Sequence, residues 1–150
     1  MHLIASTKSK SRIDVLQAKV SAEPVIVPEI LTELKRLLLS HLRDEETTTL
    51  APLVERLSRR FFLKWTAGDY ALLRIYLTAV VEQTGVLLSA CVAEADGMPL
   101  REFFDSARRM NRLDDEYQDE DLLEFWQAEF ERLCFEVQRA CGDRRHGSRN

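Results

Sequence analysis

Glycine and proline are scarce in this chain, 5 and 4 residues respectively, and each shortage excludes something. The sequence has no Gly-rich phosphate loop and no G-x-S-x-G elbow to present a serine nucleophile. Few helix breakers, set beside many Leu, Ala, Glu and Arg residues, point to helices. No window shows the sustained period-two alternation of a strand, so none is expected. Histidine is scarcer still. His2, His41 and His146 stand far apart, with no H-E-x-x-H and no Glu-x-x-His pair, so the sequence offers neither a zincin site nor a di-iron bundle site. No metal and no cofactor is expected.

The cysteines Cys91, Cys134 and Cys141 are odd in number and include no C-x-x-C. Cys134 and Cys141 fall two helical turns apart on one face, a spacing that gives no disulfide framework. Reduced core thiols of a cytoplasmic protein are expected. A net positive charge is also lacking: the formal net charge is −4, so no global positive field advertises nucleic-acid binding. The acidic run 114–121 lacks the central glycine and terminal glutamate of a calcium loop. In "MHLIASTKSKSR" the basic residues follow the apolar run, the reverse of a secretory signal. Arginine far outnumbers lysine, a codon signature of a GC-rich, bacterial genome.

What is present is a globular composition, 45% hydrophobic and 31% charged, in 150 residues, a length suited to one domain. The expected organisation is a flexible N-terminus at 1–10, a single helical domain at 11–141 and a disordered basic tail at 142–150. "SRIDVLQAKVSAE" (11–23) reads as a short helix with Ser11 as cap and Ile13, Leu16 and Val20 on one face. Pro28 opens a helix over 28–43 with a stripe of Leu31, Leu34, Leu38 and Leu42. Thr48 or Thr49 caps a helix over 50–65, where Leu50, Leu53, Leu57, Phe61 and Trp65 recur at 3, 4, 4 and 4. Asp69 caps a long helix over 70–95; "DGMP" (96–99) is a turn before a helix over 99–111. The last helix, 120–141, carries Leu122, Trp126, Phe130, Leu133, Val137 and Cys141 as its stripe, widened by Leu123 and Cys134. Asp121 and Glu124 have capping-box spacing, and Gly142 ends the helix. The fold class is therefore all-α: a single compact bundle of five to six helices around a long, mostly buried central helix at about 70–95.

Residues 74–93, "RIYLTAVVEQTGVLLSACVA", are apolar enough to suggest a membrane span. Glu82 and Gln83 near its centre argue against one, since an ionised side chain there costs about 2.5–3.5 kcal/mol. Every other segment is an amphipathic helix that needs something apolar to pack on, and a central core helix supplies it. Its small and polar positions, Arg74, Thr78, Glu82, Gly85 and Ser89, step by 4, 4, 3 and 4. Thr78, Glu82, Gly85 and Ser89 thus form a possible helix-packing seam, facing water, a neighbouring helix or a second copy of the chain.

Two features bear on function. "RLLLSH", Arg36 to His41, has an R-x4-H spacing that resembles the active-site signature of the HEPN ribonucleases, small all-α proteins that dimerise to bring such motifs together. The resemblance covers six residues and implies metal-independent RNA cleavage, with Arg36 binding the scissile phosphate and His41 assisting attack by the 2′-hydroxyl. Where that family carries a polar residue after the arginine, this chain has Leu37. The plain alternative is a half-buried histidine at the end of a core stripe beside a solvated arginine.

The second feature is arginine clustering. Arg56, Arg59, Arg60 and Lys64 lie within three turns, and Arg108, Arg109 and Arg112 lie on the short helix after "DGMP". Such clusters track phosphates, meet an acidic partner, or pair with the chain's own acidic segment 114–124. A helix-turn-helix at "FLKWTAGDYALLRIYL" fails because its second helix is too apolar to face a DNA groove. The sequence reading is a cytoplasmic helical protein with no chemistry of its own, acting on a protein partner as adaptor, regulator or assembly subunit, with homo-oligomerisation expected. Nucleic-acid binding through the arginines stands second and HEPN-like cleavage third.

Overall fold

Proline's fixed φ and missing N–H suit the first turn of a helix, and helix α1, Pro28–Arg43, begins there. The computed structural model describes residues 25–65 and 70–149. The helix expected over 11–23 with its Ser11 cap, the N-terminus 1–10 and the Asp69 cap lie outside the described residues. Val27 is the N-cap of α1 with no side-chain cap, and its own N–H donates to the Tyr76 hydroxyl at 2.9 Å. Four more α-helices follow among the described residues: α2 (Leu50–Phe61), α3 (Tyr70–Thr84), α4 (Arg101–Arg109) and α5 (Asp119–Arg149). The fold is an all-α helical bundle. Helix α1 packs on α2, α3 and α5, while α3 also packs on α2 and α4, so α1 and α3 share the centre.

The expected stripes are where the core forms. Leu31, Leu34, Leu38 and Leu42 are buried, joined by Ile30 and Leu37. Leu50, Leu53 and Leu57 of α2 and Tyr76, Leu77, Val80 and Val81 of α3 close on them. Phe103 of α4 meets Phe104 edge-on at 5.2 Å and Phe125 of α5 at 5.8 Å. Helix α5 lies along the outside. Leu133 and Cys134 are buried, whereas Leu122, Trp126, Phe130, Val137 and Cys141 are half-buried and Leu123 is exposed. The Trp126 indole N–H donates to the Ala90 carbonyl at 2.7 Å and pins α5 to the centre.

The central helix is shorter than 70–95. It stops at Thr84 because Gly85 adopts φ 69, a left-handed conformation that glycine enters without a Cβ clash. The Thr84 hydroxyl helps close the turn, bonding the Val80 carbonyl at 2.8 Å and accepting the Val86 N–H at 3.2 Å. The chain then makes a buried 3-10 turn, Leu88–Cys91. Among the described residues no helix is long and apolar enough to cross a membrane. A Cβ at position 85 would meet nothing within 4 Å among the described residues, so the cost of Gly85→Ala is the left-handed backbone strain. Its expected effect is a destabilisation of about 1–2 kcal/mol, read as a lower urea midpoint with an unchanged slope. A neutral result would mean that the turn tolerates another conformation.

The expectation of no strands is corrected by a two-residue parallel pair, Thr48–Thr49 (β1) with Val92–Ala93 (β2), and an isolated bridge from Ala93 to Pro99. Two residues are too few to show alternation. Thr49 is the N-cap of α2, as expected, but makes no side-chain capping bond. Helix α2 ends at Phe61 rather than 65, and α4 spans Arg101–Arg109 rather than 99–111. Helix α5 starts at Asp119, ahead of the Asp121–Glu124 box, and runs through Gly142 to Arg149. A glycine only permits a helix to end; it does not require it.

Three helices end on left-handed non-glycine residues, Glu45, Phe62 and Asn111. Each time, the next N–H reaches the carbonyl five residues back: Glu46 to His41, Leu63 to Ser58 and Arg112 to Ala107. This is the terminating geometry that glycine usually supplies. Asparagine adopts it readily; phenylalanine does not.

Candidate interaction surface on α2

Helix α2 is amphipathic, and its buried face of Leu50, Leu53, Val54 and Leu57 fixes where its other residues go. Arg56, Arg59 and Arg60 are therefore exposed near its C-terminal end, with Lys64 just beyond. Arg59 pairs with Glu55 on the same helix. The Arg60 guanidinium sits 5.4 Å from the centre of the half-buried Phe61 ring. Glu33 of α1 is held below the usual carboxylate range, first by hydrogen bonds from Arg36, with the charges of Arg36, Arg60 and Arg56 adding to that effect. The positive end of α2 is thus felt across on α1.

Beside these cations stands Phe62, 92% exposed at φ 56. A bulky residue in left-handed backbone is strained by about 1–2 kcal/mol, and here its ring gains nothing from the fold. Nothing in the sequence marked it. "RRFFLKW" reads as helix, because Leu57, Phe61 and Trp65 keep a four-residue step. Trp65 is buried against Tyr76, ring centres 5.7 Å apart, although the helix ends before it.

Two arginines of the second cluster, Arg108 and Arg112, pair with the chain's own carboxylates. Arg108 reaches Asp105 at 3.8 Å and Asp115 at 3.5 Å. Arg109 donates to the Ser106 hydroxyl at 3.1 Å. Arg112 binds the buried carboxylate of Glu129 at 2.6 Å. Of these three, Arg108 alone meets the acidic run 114–124 among the described residues. The two clusters stand on different elements, and the α2 cluster keeps its charge outward.

The possible packing seam is not continuous. Thr78 and Glu82 lie on α3, Gly85 makes the turn that ends it, and Ser89 is buried in the 3-10 turn. Thr78 and Glu82, with Ile26, Ile75 and Ala79, line an open groove of about 830 Å³. On its charged wall Arg74 donates to Glu94 at 2.6 Å and to Glu102 at 2.7 Å. Arg74 is held above its usual value, first by the hydrogen bond to Glu94.

Arg36 and His41 diverge. The Arg36 guanidinium is exposed and forks onto Glu33, whereas His41 is half-buried and its buried Nδ1 has no partner among the described residues. Five residues along a helix turn about 500°, which leaves the two side chains roughly 140° apart on α1. Two of the three thiols, Cys91 and Cys134, are buried. Burial pushes Cys91 up to about 12 and raises Cys134, and the thiolate is the reactive form. Among the described residues no group of His, Cys, Asp and Glu could hold a metal ion. No protein-family model matches the chain, and no curated protein and no solved structure matches it.

Proposed function

We propose that the protein acts by binding another protein, as a cytoplasmic adaptor, regulator or assembly subunit, through the C-terminal end of α2, with no chemistry of its own. The observation that carries this reading is Phe62: a strained, solvent-facing aromatic ring among Arg56, Arg59, Arg60 and Lys64. Aromatic and arginine side chains dominate binding hot spots, and an aromatic ring buries much area while losing little conformational freedom. The cations select an acidic partner face and speed encounter with it.

The test uses Phe62→Gly. Glycine removes the anchor and relieves the left-handed strain, so the variant is expected to be more stable by roughly 0.5–1 kcal/mol while losing its partner. Thermal unfolding reads the first effect. Affinity capture from the native cell, with half the sample treated with nuclease, reads the second. A protein partner that survives nuclease and is lost with Phe62→Gly supports the reading. Nucleic-acid binding is the second reading, favoured by the same ring, because bases stack on exposed aromatics beside cations. Capture that collapses with nuclease replaces the first reading with that one.

A further inference from the structure

A largely apolar pocket beside Thr47, at the other end of α2, has the features that Phe62 requires. It measures about 290 Å³ and is lined by Thr47, Leu123, Trp126, Gln127 and Phe130, a size that suits one side chain more than a free ligand. Leu123 is 40% exposed at its mouth. Exposed carboxylates flank it. Glu120, Glu124 and Glu131 follow one side of the pocket along α5 at helical spacing, and Glu45 and Glu46 stand on the loop that carries Thr47. Gln138 of α5 ties that loop down, donating to the Arg43 carbonyl at 2.9 Å and to Glu45 at 3.0 Å.

We infer that Phe62 of one copy of this chain seats in the Thr47–Leu123–Trp126–Phe130 pocket of a second copy. This rests on the reading of Phe62 as a protein-binding anchor and identifies the partner as the chain itself. Knob and pocket match in chemistry: an apolar ring bordered by cations meets a largely apolar hollow bordered by carboxylates. The fold forbids the contact within one chain. The 12 residues of α2 separate Thr47 from Phe62 and hold them about 18 Å apart. The contact therefore joins unlike surfaces of two copies. It accounts for two features that the monomer leaves unexplained, the strained exposed Phe62 and the carboxylates gathered around exposed Leu123.

The test is sedimentation of the purified full chain over a range of concentrations, with two variants made at exposed positions so that folding is spared. Phe62→Gly removes the knob; Leu123→Arg blocks the pocket and opposes the cations. Wild-type chain is expected to self-associate, more weakly as salt rises. Each variant alone should lose roughly thirtyfold or more in association, the scale of a binding hot spot. An equal mixture of the two should associate again, because one supplies the pocket and the other the knob. A wild-type chain that stays monomeric overturns the inference, as does a mixture that fails to recover. The reading beneath it fails separately, if Phe62→Gly changes neither sedimentation nor capture of a partner from the cell. A monomeric wild-type chain whose cellular capture still depends on Phe62 overturns the inference alone.

Discussion

Leu38→Ala is expected to destabilise the protein by about 2–5 kcal/mol, the range for a buried leucine whose site cannot collapse. Leu38 is fully buried in α1, the helix packed by α2, α3, α5 and the 3-10 turn together. Its carbonyl lies 3.8 Å from the Cys91 thiol of that turn, so the void would open at the junction of several elements, none free to move in alone. Leu38→Met keeps the volume and should cost less than about 1.5 kcal/mol. The informative control is the next residue. Leu39 is half-buried at the edge of a shallow groove with Val86 and Val137, so Leu39→Ala should cost clearly less. Urea unfolding measures all three, with an unchanged slope marking a loss of stability alone. Equal losses at 38 and 39 would show that α1 is not oriented as described.

That contrast marks what was legible in the sequence. "LLL" at 37–39 carries no local distinction, yet the stripe Leu31, Leu34, Leu38, Leu42 selects the face correctly, because helical period follows from backbone geometry alone. Helix ends were less legible. The apolar run 74–93 continues past Gly85 because the following turn is itself buried, so no polar residue signals the change of backbone. Gly142 raised the opposite problem, a glycine with open space around it that the helix passes through. The α2 cations were visible as spacing. The exposure of Phe62 was not, since it depends on a left-handed turn that any sequence rule would have assigned to glycine. The pocket on α5 needed Thr47 and Leu123 to come together, a tertiary fact. So did the internal use of Arg112, whose partner lies 17 residues along the chain.

The carboxylate that Arg112 serves sets the second large expectation. Glu129 is 5% exposed. One of its oxygens accepts Arg112 at 2.6 Å and Arg132 at 3.3 Å, the other accepts Arg132 at 2.8 Å. Arg132 goes on to Glu136. Both arginines reach water while the carboxylate does not, so the anion depends on them for its solvation. Replacing either arginine by leucine leaves one cation in place and should cost about 1–3 kcal/mol. Replacing both strands a buried charge and should cost about 3–5 kcal/mol. The decisive step is the third substitution. Adding Glu129→Leu to the double variant removes the stranded charge, and stability should recover to near that of the wild type, since an apolar trio of similar volume often matches a buried ionic one. Equilibrium unfolding of the four variants gives the coupling directly. A triple variant no more stable than the double would mean that the arginines act by packing their stems and not by their charge. Recovery would show that the two arginines are needed to compensate the buried Glu129 charge and not to hold α5 against the segment after α4.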